Sequence, residues 1–284
     1  MFFTPPTNQM IGTRIVIVAS MLIGLSGLCV PLSAQEVRRI TYNEINVDIV
    51  IDKPANHITD VLVAFHGTVA SDDQIIPAAQ NMLQRTKEIT NRTDMMIVSV
   101  AYPQQGRLFG DGIREAEAAL LWVREKSRKV LKRKIRKIFL IGHSQGGYMV
   151  TRLNTMHATD GVISNGPGPL NLVHRCGLEE SAQIPQGAVC TLLRQTYGTT
   201  TANPAAYMAR SLLSFTAGHL SDILSVQGLQ DSPIQLFSWP TFKQQLTDCT
   251  NCQGRQFVEI ANAGHTALFD SPAAISAYND FINR

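Results

Sequence analysis

The run Ile138-Phe139-Leu140-Ile141 ends abruptly in Gly142-His143-Ser144-Gln145-Gly146, and no other stretch of the chain constrains the fold as tightly. Four apolar residues of β character lead into the turn, and the helix-compatible segment Tyr148–Met156 follows it. This is the strand–turn–helix pattern of a nucleophile elbow. The turn must be so tight that the serine hydroxyl stands clear at the end of a sheet. Glycines two residues before and two after remove the side chains that would collide there. A helix starting at Gln145 aims its free N–H groups at the same spot, where a developing oxyanion can use them. The pattern makes Ser144 the expected nucleophile.

A serine nucleophile needs a base, and the base needs an orienting acid. On an elbow scaffold these follow in the order serine, acid, histidine. Four histidines follow Ser144: His157, His174, His219 and His265. Only His265 comes after a strand-plus-acid segment. Its context is a short apolar strand, Phe257–Ile260, then a small-residue loop with Gly264. His157 sits near the end of the helix after Ser144, and His174 and His219 lie in loop-like sequence, so all three read as surface or packing residues. The expected acid is Asp231, in the loop Gly228–Pro233 after the strand Ile223–Gln227. Asp222 precedes that strand and would fall at the wrong end of the sheet. Asp160 precedes a strand, Glu259 lies inside one, and Asp248 follows a helix beside a cysteine loop.

The second oxyanion donor is expected after an earlier strand. Val61–Phe65 is a clear β run and is followed by His66-Gly67-Thr68. Backbone N–H groups at Gly67 and Thr68 are placed to face that of Gln145 across a reacting carbonyl, with Gly67 permitting close approach.

Together, FHGT at 65–68, GHSQGG at 142–147, GLQDSP at 228–233 and NAGH at 262–265 resemble the α/β-hydrolase superfamily over nearly the whole chain from about residue 37. The resemblance is nearest to the esterase, dienelactone-hydrolase and prolyl-oligopeptidase-like branches. It implies an α/β fold with a mostly parallel central sheet and helices on both faces. Strands at 39–43, 46–51, 61–65, 95–101, 137–141 and 161–164 alternate with helices near 73–90, 113–131 and 145–156, as such a sheet requires. Residues 165–220 depart from the alternation. They begin with the rigid loop Asn165–Leu170 and include a helical stretch, Pro204–Phe215, and they read as an insertion over the site. Its aromatics Tyr197, Tyr207 and Phe215 either line a pocket or pack against the sheet.

The N-terminus speaks to location. Arg14 is followed by the apolar stretch Ile15–Leu28 and then by Pro31-Leu32-Ser33-Ala34. This reads as a secretory signal peptide cleaved after Ala34, which leaves residues 35–284 as one catalytic domain in a secreted or periplasmic space. The alternative is an uncleaved N-terminal membrane anchor. Cys29 leaves with the signal, so Cys176, Cys190, Cys249 and Cys252 remain, an even number suited to an oxidising compartment. Sequence neighbourhood favours the pairs Cys176–Cys190 and Cys249–Cys252, though four cysteines allow three connectivities. The formal net charge is only +3, which suggests no nucleic-acid partner. The one basic run, Arg124–Lys137, reads as a helix end and a solvated loop.

The expected chemistry is hydrolysis of an ester or thioester through an acyl-enzyme. Ser144 attacks, His265 shuttles the proton, Asp231 holds the imidazole, and backbone donors at Gln145, Thr68 and Gly67 bind the oxyanion. The partner is a small ester or acyl molecule, and no metal or cofactor is called for. Two alternatives stand beside it: a small prolyl-oligopeptidase-like serine peptidase, and a non-catalytic binding protein on the same fold.

Overall fold

A computed structural model describes residues 35–284. The expected signal segment, its cleavage site and Cys29 lie outside the described residues. Eight strands form one sheet: β1 (Glu36–Tyr42), β2 (Ile45–Asp52), β3 (Ile58–Phe65), β4 (Met96–Ala101), β5 (Lys134–His143), β6 (Gly161–Asn165), β7 (Ile223–Gly228) and β8 (Arg255–Ile260). Their spatial order is β1-β2-β4-β3-β5-β6-β7-β8. β1 and β2 form a hairpin closed by Asn43 and Glu44, both at positive φ, as a two-residue turn between twisted strands demands. β2 also runs antiparallel to β4, and every pairing from β4 across to β8 is parallel.

The described residues form nine helices: α1 (Ile75–Ile89), α2 (Ile113–Glu125), α3 (Ser127–Leu131), α4 (Gln145–Leu153), α5 (Leu172–Glu180), α6 (Ala188–Tyr197), α7 (Pro204–Met208), α8 (Pro233–Asp248) and α9 (Pro272–Ile282). α1 and α9 bury Leu83, Ile89, Tyr278 and Phe281 against one face, with Leu62, Ile97 and Ile141. α2, α4 and α8 bury Leu120, Met149 and Phe242 against the other, with Val63, Val98 and Leu140. With helices on both faces, the inner strands become continuous apolar runs, and all residues of β4, β6 and β7 are buried. The edge strand β1 alternates between covered and exposed positions, and β8, at the other edge, has no fully buried residue. None of the described helices is long and apolar enough to cross a membrane.

Four local expectations need correction. The helix read as 113–131 is two helices, since α2 ends at Glu125 and α3 starts at Ser127 after the cap residue Lys126, and Lys132 closes α3 in the left-handed conformation. The stretch 204–215 likewise breaks after Met208, and only a 3-10 turn re-forms at Leu212–Phe215. His174 is helical, in α5, rather than in a loop. β5 also starts earlier than the apolar residues suggest. Lys134 and Ile135 pair with Ile58 and Thr59, since a strand needs backbone partners and not apolar side chains to begin.

Candidate active site

Parallel pairing sets one end of the sheet as the place where loops converge. Phe65 pairs with Gly142, His143 with Asn165, and Gly228 with Ile260, so the loops after β3, β5, β6, β7 and β8 leave from neighbouring strand ends. Ser144, Gly67, Thr68, Asp231 and His265 all lie in those loops. Ser144 itself sits between β5 and α4 at φ 56, ψ −118. A non-glycine residue there is strained by roughly 1–3 kcal/mol and persists only where its surroundings hold it. Its N–H donates to Asn165 O at 3.0 Å, and its carbonyl accepts from Tyr148 N and Gly168 N, both at 3.1 Å.

The flanking glycines are required by contact distances. A Cβ on Gly142 would stand 2.0 Å from Gly146 O, and one on Gly146 would stand 2.0 Å from Phe65 O. Both obstacles are backbone, so neither can swing aside. Gly146→Ala is therefore expected to cost at least about 3 kcal/mol, a fall in Tm of roughly 6–12 °C. A thermal melt checks it, and an unchanged midpoint would mean that the elbow is not packed this tightly against β3.

Asp231 and His265 are brought together by two loops running side by side. Leu229 N donates to Ile260 O and Gln230 N to Ala263 O, each at 2.9 Å. A Cβ on Gly228 would meet Ala263 O at 2.3 Å, so only glycine lets the loops approach. The result is a 2.7 Å contact between His265 Nδ1 and Asp231 Oδ2. Asp231 Oδ2 also accepts from Gln227 Nε2 at 3.0 Å, and Oδ1 from Ser232 N at 2.6 Å. Burial by itself raises the Asp231 pKa. The hydrogen bond and charge of His265, with the Gln227 and Ser232 donors, outweigh burial and hold the carboxyl below its ordinary value. With Nδ1–H committed to an ionised carboxylate, His265 has Nε2 left to accept a proton.

His265 lies against the serine's own chain segment. Its ring centroid is 4.9 Å from that of His143, the residue before Ser144. The Cβ position of Gly166, at φ +51, is 3.5 Å from both Nδ1 and Cε1 of the imidazole. Burial and the neighbouring His265 charge push the His143 pKa down to about 4, which keeps that ring neutral at ordinary pH.

On the other side of the serine is the loop after β3. The Cβ position of Gly67 lies 3.3 Å from Ser144 Cβ, so this loop passes directly over the serine. Gln145 opens α4, and N–H groups in a helix's first turn have no acceptor within the helix. The Thr68 side chain does more than sequence reasoning assigned to it, because its hydroxyl donates to Gln145 Oε1 at 2.9 Å and ties the two candidate oxyanion positions together. His66 braces the turn from beneath. It stacks on Tyr102 with centroids 4.4 Å apart, its Nδ1 lies 2.7 Å from Gly67 O, and the Tyr102 hydroxyl donates to its carbonyl. Burial pushes the His66 pKa down to about 4.

Several supporting residues carried no sequence signal. Gln235 Nε2 donates to Pro167 O at 2.5 Å and to Gln227 Oε1 at 3.2 Å, so an amide relay links the loop after β6 to Asp231. The remaining histidines stand apart from this arrangement. His157, beyond the end of α4, contacts Glu117 at 2.6 Å, His174 stacks on Phe237, and His219 is buried with its ring against Phe215 O. The other acids are also engaged elsewhere. Asp160 accepts from Ile138 N, Asp222 from Gly254 N, Asp248 from Gln244, and Glu259 from Trp239. Tyr207, Phe215 and Tyr197 pack rather than project: the Tyr207 hydroxyl donates to Gly198 O, Phe215 meets Tyr148 edge to face, and the Tyr197 hydroxyl accepts from Arg210. The cysteine sulfurs sit at disulfide distance as Cys176–Cys190 and Cys249–Cys252.

No protein-family profile matches this sequence, and no curated protein does. Its likeness to solved structures is clear. An acylaminoacyl peptidase from Pyrococcus horikoshii superposes with a TM-score of 0.62 at 16% identity, over 88% of this chain and 40% of that one. A thermostable esterase from Pseudomonas putida gives 0.62 at 17% identity, over 87% and 81%. A Pyrococcus furiosus esterase gives 0.64 at 14% identity, over 88% and 91%. This chain thus spans about two fifths of the length of the peptidase and most of the length of the esterases. The sheet order and these likenesses define the class: the chain has the α/β-hydrolase fold.

Proposed function

We propose that this chain is an exported serine hydrolase that cleaves small carboxylic esters or thioesters through an acyl-enzyme. The observation that carries the reading is the strained Ser144 elbow beside the Asp231–His265 pair, at the converging strand ends of an α/β-hydrolase sheet. A strained serine between two obligatory glycines has no packing purpose, and a buried carboxylate on a histidine Nδ1 fixes the tautomer that general-base catalysis needs.

In this reading His265 Nε2 takes the Ser144 proton as Oγ attacks the carbonyl carbon. Asp231 holds the imidazole and stabilises its charged form. The N–H groups of Gln145 and Thr68, with Gly67 allowing the approach, receive the oxyanion. His265 then protonates the leaving oxygen of an ester, or the leaving sulfur of a thioester, and water repeats the sequence to release the acid. Export rests on the signal-like segment up to Ala34, and the two cysteine pairs suit an oxidising space.

The esterases among the structural neighbours favour ester cleavage, since the chain matches most of their length. The peptidase reading has the Pyrococcus horikoshii enzyme in its favour, but over less than half of that protein. A panel of p-nitrophenyl esters beside a panel of peptide anilides separates the readings. Turnover of esters with kcat/KM at least ~10²-fold above any anilide is expected, given the higher barrier to amide cleavage. The reverse ranking would make the protein a peptidase, and no turnover of either would favour a binding protein.

A further inference from the structure

A chamber of about 170 Å³ opens beside Thr68 and Gln145, the two candidate oxyanion donors. Its apolar walls are Val69 from the loop after β3, Pro103, Leu108 and Phe109 from the loop after β4, and Val189 and Leu192 from α6. No residue of the His265 loop lines it. The leaving oxygen must lie beside His265 to be protonated, so a chamber on the far side of the oxyanion donors faces the acyl half of the substrate. Gln104, Gln105 and Arg107 line the chamber as well. By volume alone, since an apolar cavity of ~150 Å³ accommodates benzene, it has room for about six carbon atoms.

The α6 wall is held in an unusual way. Among its ten residues only Cys190 and Leu193 are fully buried. Val189 and Leu192, three apart on one helical face, line the chamber. Cys190 and Leu193, on the adjoining face, point to the core, and Cys190 is bonded to Cys176 of α5. Glu179 of α5 adds one polar tie, accepting from Gly187 N at 2.9 Å at the start of α6. Val189 and Tyr197 of α6 are half-buried against the core, and the Tyr197 hydroxyl accepts from Arg210 Nη2 at 3.1 Å. The covalent bridge adds to this partial packing an anchor that thermal motion does not open.

Building on the serine-esterase reading, we propose that this chamber is the acyl subsite, that it limits the acyl group to about six carbons, and that the Cys176–Cys190 bridge sets the limit by fixing α6. The bridge then has a role in specificity as well as in stability.

The test is kcat/KM across p-nitrophenyl acetate, butyrate, hexanoate, octanoate and decanoate. The wild type is expected to peak at butyrate or hexanoate and to fall by about tenfold or more at octanoate, the scale of a clash worth one or two methylenes. Leu192→Ala is expected to move the peak to octanoate. Leu192→Trp is expected to move it to acetate by raising KM for longer chains. Cys176→Ser with Cys190→Ser is expected to flatten the profile. If that double variant does not fold, phosphine reduction of the folded wild type, with thiols counted by mass, makes the same comparison. Unchanged profiles in both Leu192 variants would overturn the subsite, and an unchanged profile after loss of the bridge would overturn its role. A wild type that hydrolyses no ester would overturn the esterase reading and this inference with it, whereas turnover with unmoved profiles overturns the inference alone.

Discussion

Ser144→Ala is expected to leave the fold intact and to lower ester hydrolysis by at least ~10³-fold, the scale for losing a triad serine. The reason for both halves lies in the elbow. Alanine keeps the Cβ that already fits beside Gly67, and the backbone bonds from Ser144 N to Asn165 O and from Tyr148 N to Ser144 O are untouched. The only atom lost is Oγ, the one that would form the acyl bond. Residual rate would come from the oxyanion donors and from substrate positioning. A purified variant with a wild-type melting curve and near-wild-type hydrolysis would remove Ser144 from the chemistry.

Asp231→Asn is the second large effect, at about 10²–10⁴-fold in kcat/KM with a smaller change in stability. The hydrogen-bond geometry makes the substitution worse than a loss of charge. Oδ2 faces two donors, His265 Nδ1–H and Gln227 Nε2, while Oδ1 faces the Ser232 N–H. An asparagine NH₂ in either place meets a donor, so one bond must break or the imidazole must move its proton to Nε2. That tautomer has no lone pair for the serine proton. His265→Ala is expected to cost about as much as losing the serine, because the three groups act as a unit. Asp222→Asn and Asp248→Asn are the controls. Asp222 holds Gly254 near the far end of the sheet, and Asp248 caps a contact within α8, so both variants should hydrolyse esters at close to the wild-type rate. A dead Asp222 or Asp248 variant beside an active Asp231→Asn would reassign the acid.

What the sequence makes legible here is local. The Ile138–Ile141 run, the glycines at 142 and 146 and the following helix specify an elbow within ten residues, and the structure has β5, Ser144 and α4 in that order. Chain order then narrows the acid and the base to Asp231 and His265, which the fold places 2.7 Å apart. The illegible parts are contacts between residues far apart in the chain. Nothing near Gln227 or Gln235 announces that their amides bridge Pro167 to Asp231, since glutamine occurs equally on solvated surfaces. A backbone donor needs no particular side chain, so nothing in the sequence marks the Thr68 hydroxyl, which reaches Gln145, 77 residues away. The break at Lys126 was hidden because helical periodicity runs through both α2 and α3, and the basic start of β5 because pattern reading weighs side chains rather than ladder bonds.

The most direct test of the central claim is covalent. A fluorophosphonate reacts with a serine only when a base has activated the hydroxyl and an oxyanion site receives the phosphoryl oxygen. The folded protein is incubated with the probe, digested, and the modified peptide is sequenced by mass spectrometry. The account predicts one stoichiometric label, on Ser144, absent from Ser144→Ala and strongly slowed in His265→Ala. A label on another residue, or a folded wild type that takes none, would contradict it.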